Sequence, residues 1–165
     1  MHQSGRWISF PLAIVLLMAP NVQAQESPES LLARAKTVLA QLDGDIKLSG
    51  LKEPVEIRRD RWGIAHIYAQ NQHDLFFAQG FVAAQDRLFQ LDLWRRVARG
   101  ETAELFGEEG IEADRFARLV KYRGDMNAEW TSYAPDAREI ATAFTGGINA
   151  CIDHIGAKLP IEFQL

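Results

Sequence analysis

Residues 55–107 read VEIRRDRWGIAHIYAQNQHDLFFAQGFVAAQDRLFQLDLWRRVARGETAELFG, and this stretch decides the fold. Val55, Ile57 and Arg59 alternate with Glu56 and Arg58, the period-two pattern of a half-buried strand. Asp60-Arg61-Trp62-Gly63 follows as a turn and Ile64 to Tyr68 returns as a strand, so the spacing predicts a β-hairpin with Gly63 available for a positive φ. Asn71 to Asp74 then caps a long helical region. Within it Phe81, Ala84, Leu88 and Leu91 form one apolar stripe, Val82, Phe89, Leu93 and Val97 a second, and Ala83 and Trp94 fill a third side. A helix that is apolar on most sides is expected to be buried. Asp86, Arg87, Asp92, Arg95 and Arg96 lie among these residues, and buried charges must be paired because an isolated one costs several kcal/mol. Asp92 and Arg96 stand four apart with the acid first, the favourable order for a helical pair. Gly80 is expected to divide the region into two helices, and Gly100 to end it.

Working outward toward the N-terminus, Ser27-Pro28-Glu29 has the form of a helix start, with a Ser cap, Pro in the first turn and an acid beside it. Leu31, Ala35, Val38 and Leu42 continue at helical spacing as far as Gly44, which is expected to end the helix. Ile46 to Leu48 suggests a short strand before a Ser49-Gly50 turn. Toward the C-terminus, Thr102 to Phe106 is read as a helical turn closed by Gly107, and Asp114 to Trp130 as one helix through Phe116, Leu119, Val120 and Met126. Pro135 opens a last helix with Ile140, Phe144, Ile148, Ile152 and Ile155 on one face, capped by Gly156 and blocked by Pro160. The final Ile161-Glu162-Phe163-Gln164-Leu165 is apolar and reads as an interruption. Together these elements predict an α+β chain, rich in helix, with a short hairpin.

The chain has 165 residues, enough for one domain, and 47% of them are apolar against 24% charged, a globular rather than disordered balance. A net charge of −4 argues against a nucleic-acid partner, which requires a basic face. Residues 1–24 have the form of a secretory signal: Arg6 with no acid, an apolar run from Ile8 to Ala19, and Val22-Gln23-Ala24 before the cut. That run falls short of the about 20 residues a bilayer crossing needs. Removing Arg6 with the leader makes the remainder one unit more acidic. Cys151 is the only cysteine, so no disulfide can form within the chain and the fold rests on its core. The expected location is outside the cytoplasm.

Local candidates for chemistry are weak. Cys151 and His154 lie three apart, but Cys151 falls on the apolar face with Ile148 and Ile155 and reads as a core thiol. His66 and His73 form no close-spaced ligand set and are expected to be structural. Glu101, Glu104, Glu108 and Glu109 read as a solvated acidic face without the oxygen spacing of a calcium loop. There is no GxSxG, phosphate loop or CxxC pair. The residues alone therefore nominate no catalytic, cofactor-binding or metal-binding group.

The segment from residue 53 to 165 resembles the penicillin acylase (penicillin amidase) family of N-terminal-nucleophile hydrolases. The resemblance runs through Arg59-Asp60, Gly63, Ala65-His66-Ile67-Tyr68-Ala69, Asp74 and Gly80-Phe81 to its most specific part, Ala84-Gln85-Asp86-Arg87-Leu88-Phe89-Gln90. Arg95-Arg96, Gly100, Ala103-Glu104, Gly107, Asp114 and Arg118 continue it, followed by Phe144, Gly147-Ile148-Asn149-Ala150 and Leu159-Pro160-Ile161-Glu162-Phe163. Ala65 departs from the family, which usually has Pro there. The resemblance implies an exported precursor that cleaves itself into an α and a β chain, and an αββα fold for the whole. The implied nucleophile is a Ser at the new β-chain N-terminus, with its own α-amino group as base, acting on acyl amides of β-lactam or homoserine-lactone type. It implies that the family's nucleophile, pocket residues and calcium site lie beyond the position matching Leu165. On this view residues 25–52 are an N-terminal helix and linker, 53–165 an incomplete α-chain segment whose partner is the β chain, and the chain alone is inactive and poorly soluble. Asp86, Arg87, Arg95 and Arg96 are expected to be a scaffold network. The competing expectation is a stand-alone periplasmic helical binding module.

Overall fold

The computed structural model describes residues 26–165, and the expected secretory leader lies outside the described residues. In order the elements are α1 (Pro28–Thr37), β1 (Glu56–Arg59), β2 (Ala65–Tyr68), α2 (Gln72–Arg99), α3 (Ala103–Phe106), α4 (Ile111–Val120), α5 (Met126–Glu129) and α6 (Ala137–Ile155). Short 3-10 turns cover Gly107–Gly110, Trp130–Ser132 and Ile161–Gln164. The described residues thus have the expected α+β, helix-rich character with a two-stranded sheet.

The hairpin forms where its pattern predicts, but β1 is less covered than a half-buried strand: Ile57 is exposed and only Arg59 of the strand is partly buried. β1 and β2 are antiparallel with Arg59 opposite Ala65 and Glu56 opposite Tyr68, and Gly63 in the turn has φ +78°. Asp60 fixes the turn by accepting from the Trp62 and Ile64 backbone N–H groups at 2.8 and 3.0 Å. A lone two-stranded hairpin is marginal in water, and this one is tied to α2. Arg59 donates to both carboxylate oxygens of Asp86 at 2.9 and 3.0 Å.

The core sits where α2 crosses α6. Phe77, Ala78, Phe81, Val82, Ala84 and Leu88 of α2 are buried, as are Ala143 and Cys151 of α6. Small residues let the two backbones meet. A Cβ on Gly80 would lie 1.9 Å from the Phe144 carbonyl oxygen, and one on Gly147 1.8 Å from that of Phe77. This corrects the reading of Gly80 as a helix break. Its missing side chain serves a helix crossing, and α2 instead departs from helical geometry at Arg87 (φ −146°, ψ 31°). The buried face of α6 accordingly runs through Ala143, Gly147 and Cys151, while Ile152 is 41% exposed.

Other boundaries differ from expectation for local reasons. α1 stops at Thr37, whose hydroxyl turns back to the Arg34 carbonyl at 2.7 Å, so Gly44 caps nothing. Ile46 to Leu48 keeps its alternation, with both side chains packed on the core cluster of Phe81, Ala84, Leu88 and Cys151, but among the described residues no strand pairs with it. The stretch read as one helix from Asp114 to Trp130 breaks after Val120. Asp125 starts a new turn by accepting from the Asn127 N–H at 2.8 Å. The caps at Ser27, Asn71, Gly100, Gly107 and Gly156 fall where their residue types place them.

Candidate functional site

The N-terminal half of α2 carries the most constrained polar group of the described chain. Asp74 is fully buried. Its carboxylate accepts from the backbone N–H groups of Lys52 and Glu53, both at 2.9 Å, and from the Asn71 amide at 2.6 Å. The His73 ring nitrogen Nδ1 lies 2.9 Å away. Asn71 in turn accepts from the Asp74 N–H at 2.9 Å, which makes the helix cap and the buried carboxylate one unit. Burial on its own would raise the Asp74 carboxyl, but the Lys52, His73, Asn71 and Glu53 donors outweigh it and hold it far below the ordinary carboxylate range. Such a group is a stitch between the 50–53 loop and α2, not an acid or base poised near neutrality.

Asp114 does the same work just beyond the other end of α2. It accepts from Thr102 N–H at 2.8 Å, the Thr102 hydroxyl at 2.5 Å and Ala103 N–H at 2.8 Å. Burial opposes its ionisation, and the Thr102 and Ala103 donors with nearby Arg118 lower its pKa nonetheless. Arg118 donates to the Gly100 carbonyl at 2.8 Å, so α4 grips the C-cap of α2 through Arg118 and the start of α3 through Asp114. A Cβ at Gly100 would meet the Asp114 carbonyl oxygen at 2.6 Å, and its φ of +70° also suits glycine.

The charges along the C-terminal half of α2 are paired but not buried as the sequence suggests. Asp92 accepts from Arg95 at 2.8 and 3.0 Å and from Arg96 at 2.8 Å. Partial burial works against the charged form of Asp92, and the two guanidinium groups still lower its pKa. Glu101 bonds Arg99 at 2.7 Å and Arg95 at 3.3 Å and is partly shielded, whereas Glu104 bonds Arg96 at 2.5 Å yet stays on the solvated face expected for it, as do Glu108 and Glu109. Asp86 ties α2 to the hairpin through Arg59. Arg87 stands outside the network: among the described residues no hydrogen bond or ion pair engages it. Trp94 is 60% exposed, because α6 covers only the first half of the helix.

The scaffold reading of Asp86 makes a measurable prediction. Arg59→Ala and Asp86→Ala should each destabilise by about 1 kcal/mol, and the double variant by little more than either alone, as two ends of one partly shielded bidentate pair. Full additivity in a double-mutant cycle would show that the pair is not coupled.

The remaining candidates have structural roles. Cys151 is buried, and burial pushes its thiol up to about 11, which leaves it protonated and inert at neutral pH. His154 instead lies against the Phe81 ring, 6.1 Å between centroids. His73 stacks on Phe77, and His66 sits 3.4 Å from Asp60 at the hairpin turn. Among the described residues no three His, Cys, Asp or Glu side chains converge as metal ligands. The buried carboxylates of Asp74 and Asp114 spend their oxygens on N–H and O–H donors of the chain itself.

A family model described as penicillin amidase matches residues 54–165, and the chain belongs to that family. It is 40% identical over 130 residues to the penicillin acylase 2 proenzyme of Pseudomonas sp. (strain SE83), covering 79% of this chain and 17% of the proenzyme. It is 34% identical to the penicillin G acylase of Escherichia coli over 67% of this chain and 14% of that protein. The acyl-homoserine lactone acylase QuiP of Pseudomonas aeruginosa is also 34% identical, over 70% of this chain and 14% of its own length. Among solved structures the chain is similar to a thermostable penicillin G acylase from Alcaligenes faecalis. The TM-score is 0.60 at 30% identity, with 67% of this chain and 60% of that chain covered. The sequence therefore spans a small share of the curated relatives it matches. Within the described residues no helix is long and apolar enough to cross a membrane.

Proposed function

We propose that this chain is a scaffold segment of an exported acylase that hydrolyses the amide bond between an acyl group and an amine, of β-lactam or homoserine-lactone type. The observation that carries this reading is the match of residues 54–165 to a family whose similar members are named penicillin and acyl-homoserine lactone acylases. A second observation supports a processed precursor. The match fills 60% of a solved acylase chain but only 17% of a proenzyme, as expected if the working chain is a cleaved part of a longer polypeptide.

In this proposal the reacting groups lie on a β chain of the same precursor. A Ser at its N-terminus attacks the substrate carbonyl, its α-amino group takes the proton, and β-chain donors hold the oxyanion. The residues described here contribute position. Asp74 locks the start of α2 and Asp114 the start of α3, Gly80 and Gly147 fix the crossing of α2 with α6, and Asp86 holds the hairpin against α2. Trp62, Trp94, Phe116 and Leu119 are 60–74% exposed, apolar surface of the kind that another chain covers. The periplasm is the proposed location.

The test is export of the full-length protein that carries this chain, followed by assay with a phenylacetyl amide and an acyl-homoserine lactone. The expected result is two polypeptides after processing and release of amine from at least one substrate. A correctly exported, processed protein that cleaves neither would overturn the reading. Purified residues 26–165 should cleave neither.

A further inference from the structure

A groove lies between the end of α1, the irregular turn of α2 at Arg87 and the end of α6. Its volume is about 560 Å³, within the range of small-molecule sites. The floor is apolar, with Ala84, Leu88, Cys151 and Ile155 below and Val38 and Leu39 along one wall. The cationic residues that line it are Arg87 and Lys158, with His154 also in the lining. Asp86 also lines it, but Arg59 neutralises that carboxylate through two hydrogen bonds of 2.9 and 3.0 Å. Glu162 is the remaining acid, so Arg87 and Lys158 leave the lining positive.

Arg87 has two unusual properties at once. Its backbone leaves helical geometry inside an otherwise continuous helix, and among the described residues nothing pairs with its guanidinium. Every other arginine of α2 is ion-paired or hydrogen-bonded to an acid. A guanidinium presents a planar fork of donors that matches a carboxylate. We propose that this groove binds a small amphipathic carboxylate, with its head on Arg87 and Lys158 and its tail along Ala84, Leu88 and Val38. The apolar floor selects for a hydrocarbon body, and the cationic rim selects for the acid over the corresponding alcohol.

The experiment uses the full-length protein with a photoreactive decanoate carrying a diazirine at the tail, and the matching decanol as neutral control. Peptide mapping after irradiation should place decanoate adducts within residues 35–41, 84–90 or 151–162, with weak labelling by the alcohol. Arg87→Gln should reduce labelling at these peptides about tenfold, the loss of one charge-assisted contact. Lys158→Gln, in the exposed loop after α6, decides the matter if the Arg87 variant does not fold, and should also reduce labelling. The proposal is overturned if acid and alcohol label these peptides equally, if adducts fall elsewhere, or if labelling survives the folded variants unchanged.

Discussion

Gly147→Ala should leave little folded protein, although alanine is the better helix former. The added Cβ would stand 1.8 Å from the Phe77 carbonyl oxygen and 2.7 Å from the Phe81 nitrogen. Both are backbone atoms of α2, so no side-chain rotation relieves the clash. The helices must separate, and the cores of Phe77, Phe81 and Ala143 open with them. Overpacking of this kind costs roughly 1–3 kcal/mol when side chains can yield and more when they cannot. Against a stability of about 5–15 kcal/mol this is a large fraction. The neighbouring position supplies the control. A Cβ on Gly146 meets only the Phe77 ring, at 3.5 Å, an ordinary contact. Gly146→Ala should therefore be neutral or stabilise by up to about 1 kcal/mol through helix propensity. Soluble yield and thermal midpoint should fall well below the parent for Gly147→Ala and stay at or above it for Gly146→Ala. Equal behaviour would show that α2 and α6 do not cross as described.

Asp74→Ala should be nearly as damaging. It strips the acceptor from two backbone N–H groups, the Asn71 amide and the His73 ring in a site with no exposure. Removing one partner of a buried charged network costs roughly 3–5 kcal/mol. Asp74→Asn keeps the shape but turns one oxygen into a donor facing donors, so it should lose much of the same stability. The pH dependence separates charge from shape. The folded carboxyl is depressed, so its contribution is fully present above the unfolded value near 4 and is lost as pH falls toward the folded value. The gap between parent and Asp74→Asn should be complete at pH 7 and close progressively below about pH 4. Asp92, Asp114 and Asp60 are lowered in the same direction, so the parent itself should become acid-labile in that window. A gap that stays constant from pH 7 to pH 3 would mean the carboxylate charge is not what binds the 50–53 loop.

What the sequence discloses here is the chemistry that acts locally. The hairpin follows from alternation plus Gly63, and the caps at Ser27, Asn71, Gly100 and Gly156 follow from side chains that bond, or backbones that turn, within a few residues. Gly80 misleads because a glycine inside a helix gives the same local signal whether it marks a break or a close crossing. The atom that explains it, the Phe144 carbonyl oxygen, is 64 positions away in the chain. Ile46 to Leu48 has a strand's alternation but no partner strand among the described residues, and pairing is not a property of one segment. The break at Arg87 has no local signature at all. Asp74 is the most instructive miss. The Asn71-to-Asp74 spacing signals a cap, yet the donors that make it a buried hub come from Lys52 and Glu53. For the charges on α2, helical spacing correctly pairs Asp92 with Arg96, while burial depends on α6, which stops short of them.

The central claim is that these residues hold an acylase in shape while the reacting group lies on another part of the protein. The direct measurement treats the exported, processed enzyme with phenylmethylsulfonyl fluoride, which sulfonylates activated serine with loss of fluoride, and maps the adducts by mass spectrometry while following loss of amide turnover. The account predicts that inactivation tracks one adduct, and that this adduct lies outside residues 26–165. An inactivating adduct on a serine within 26–165 would contradict it.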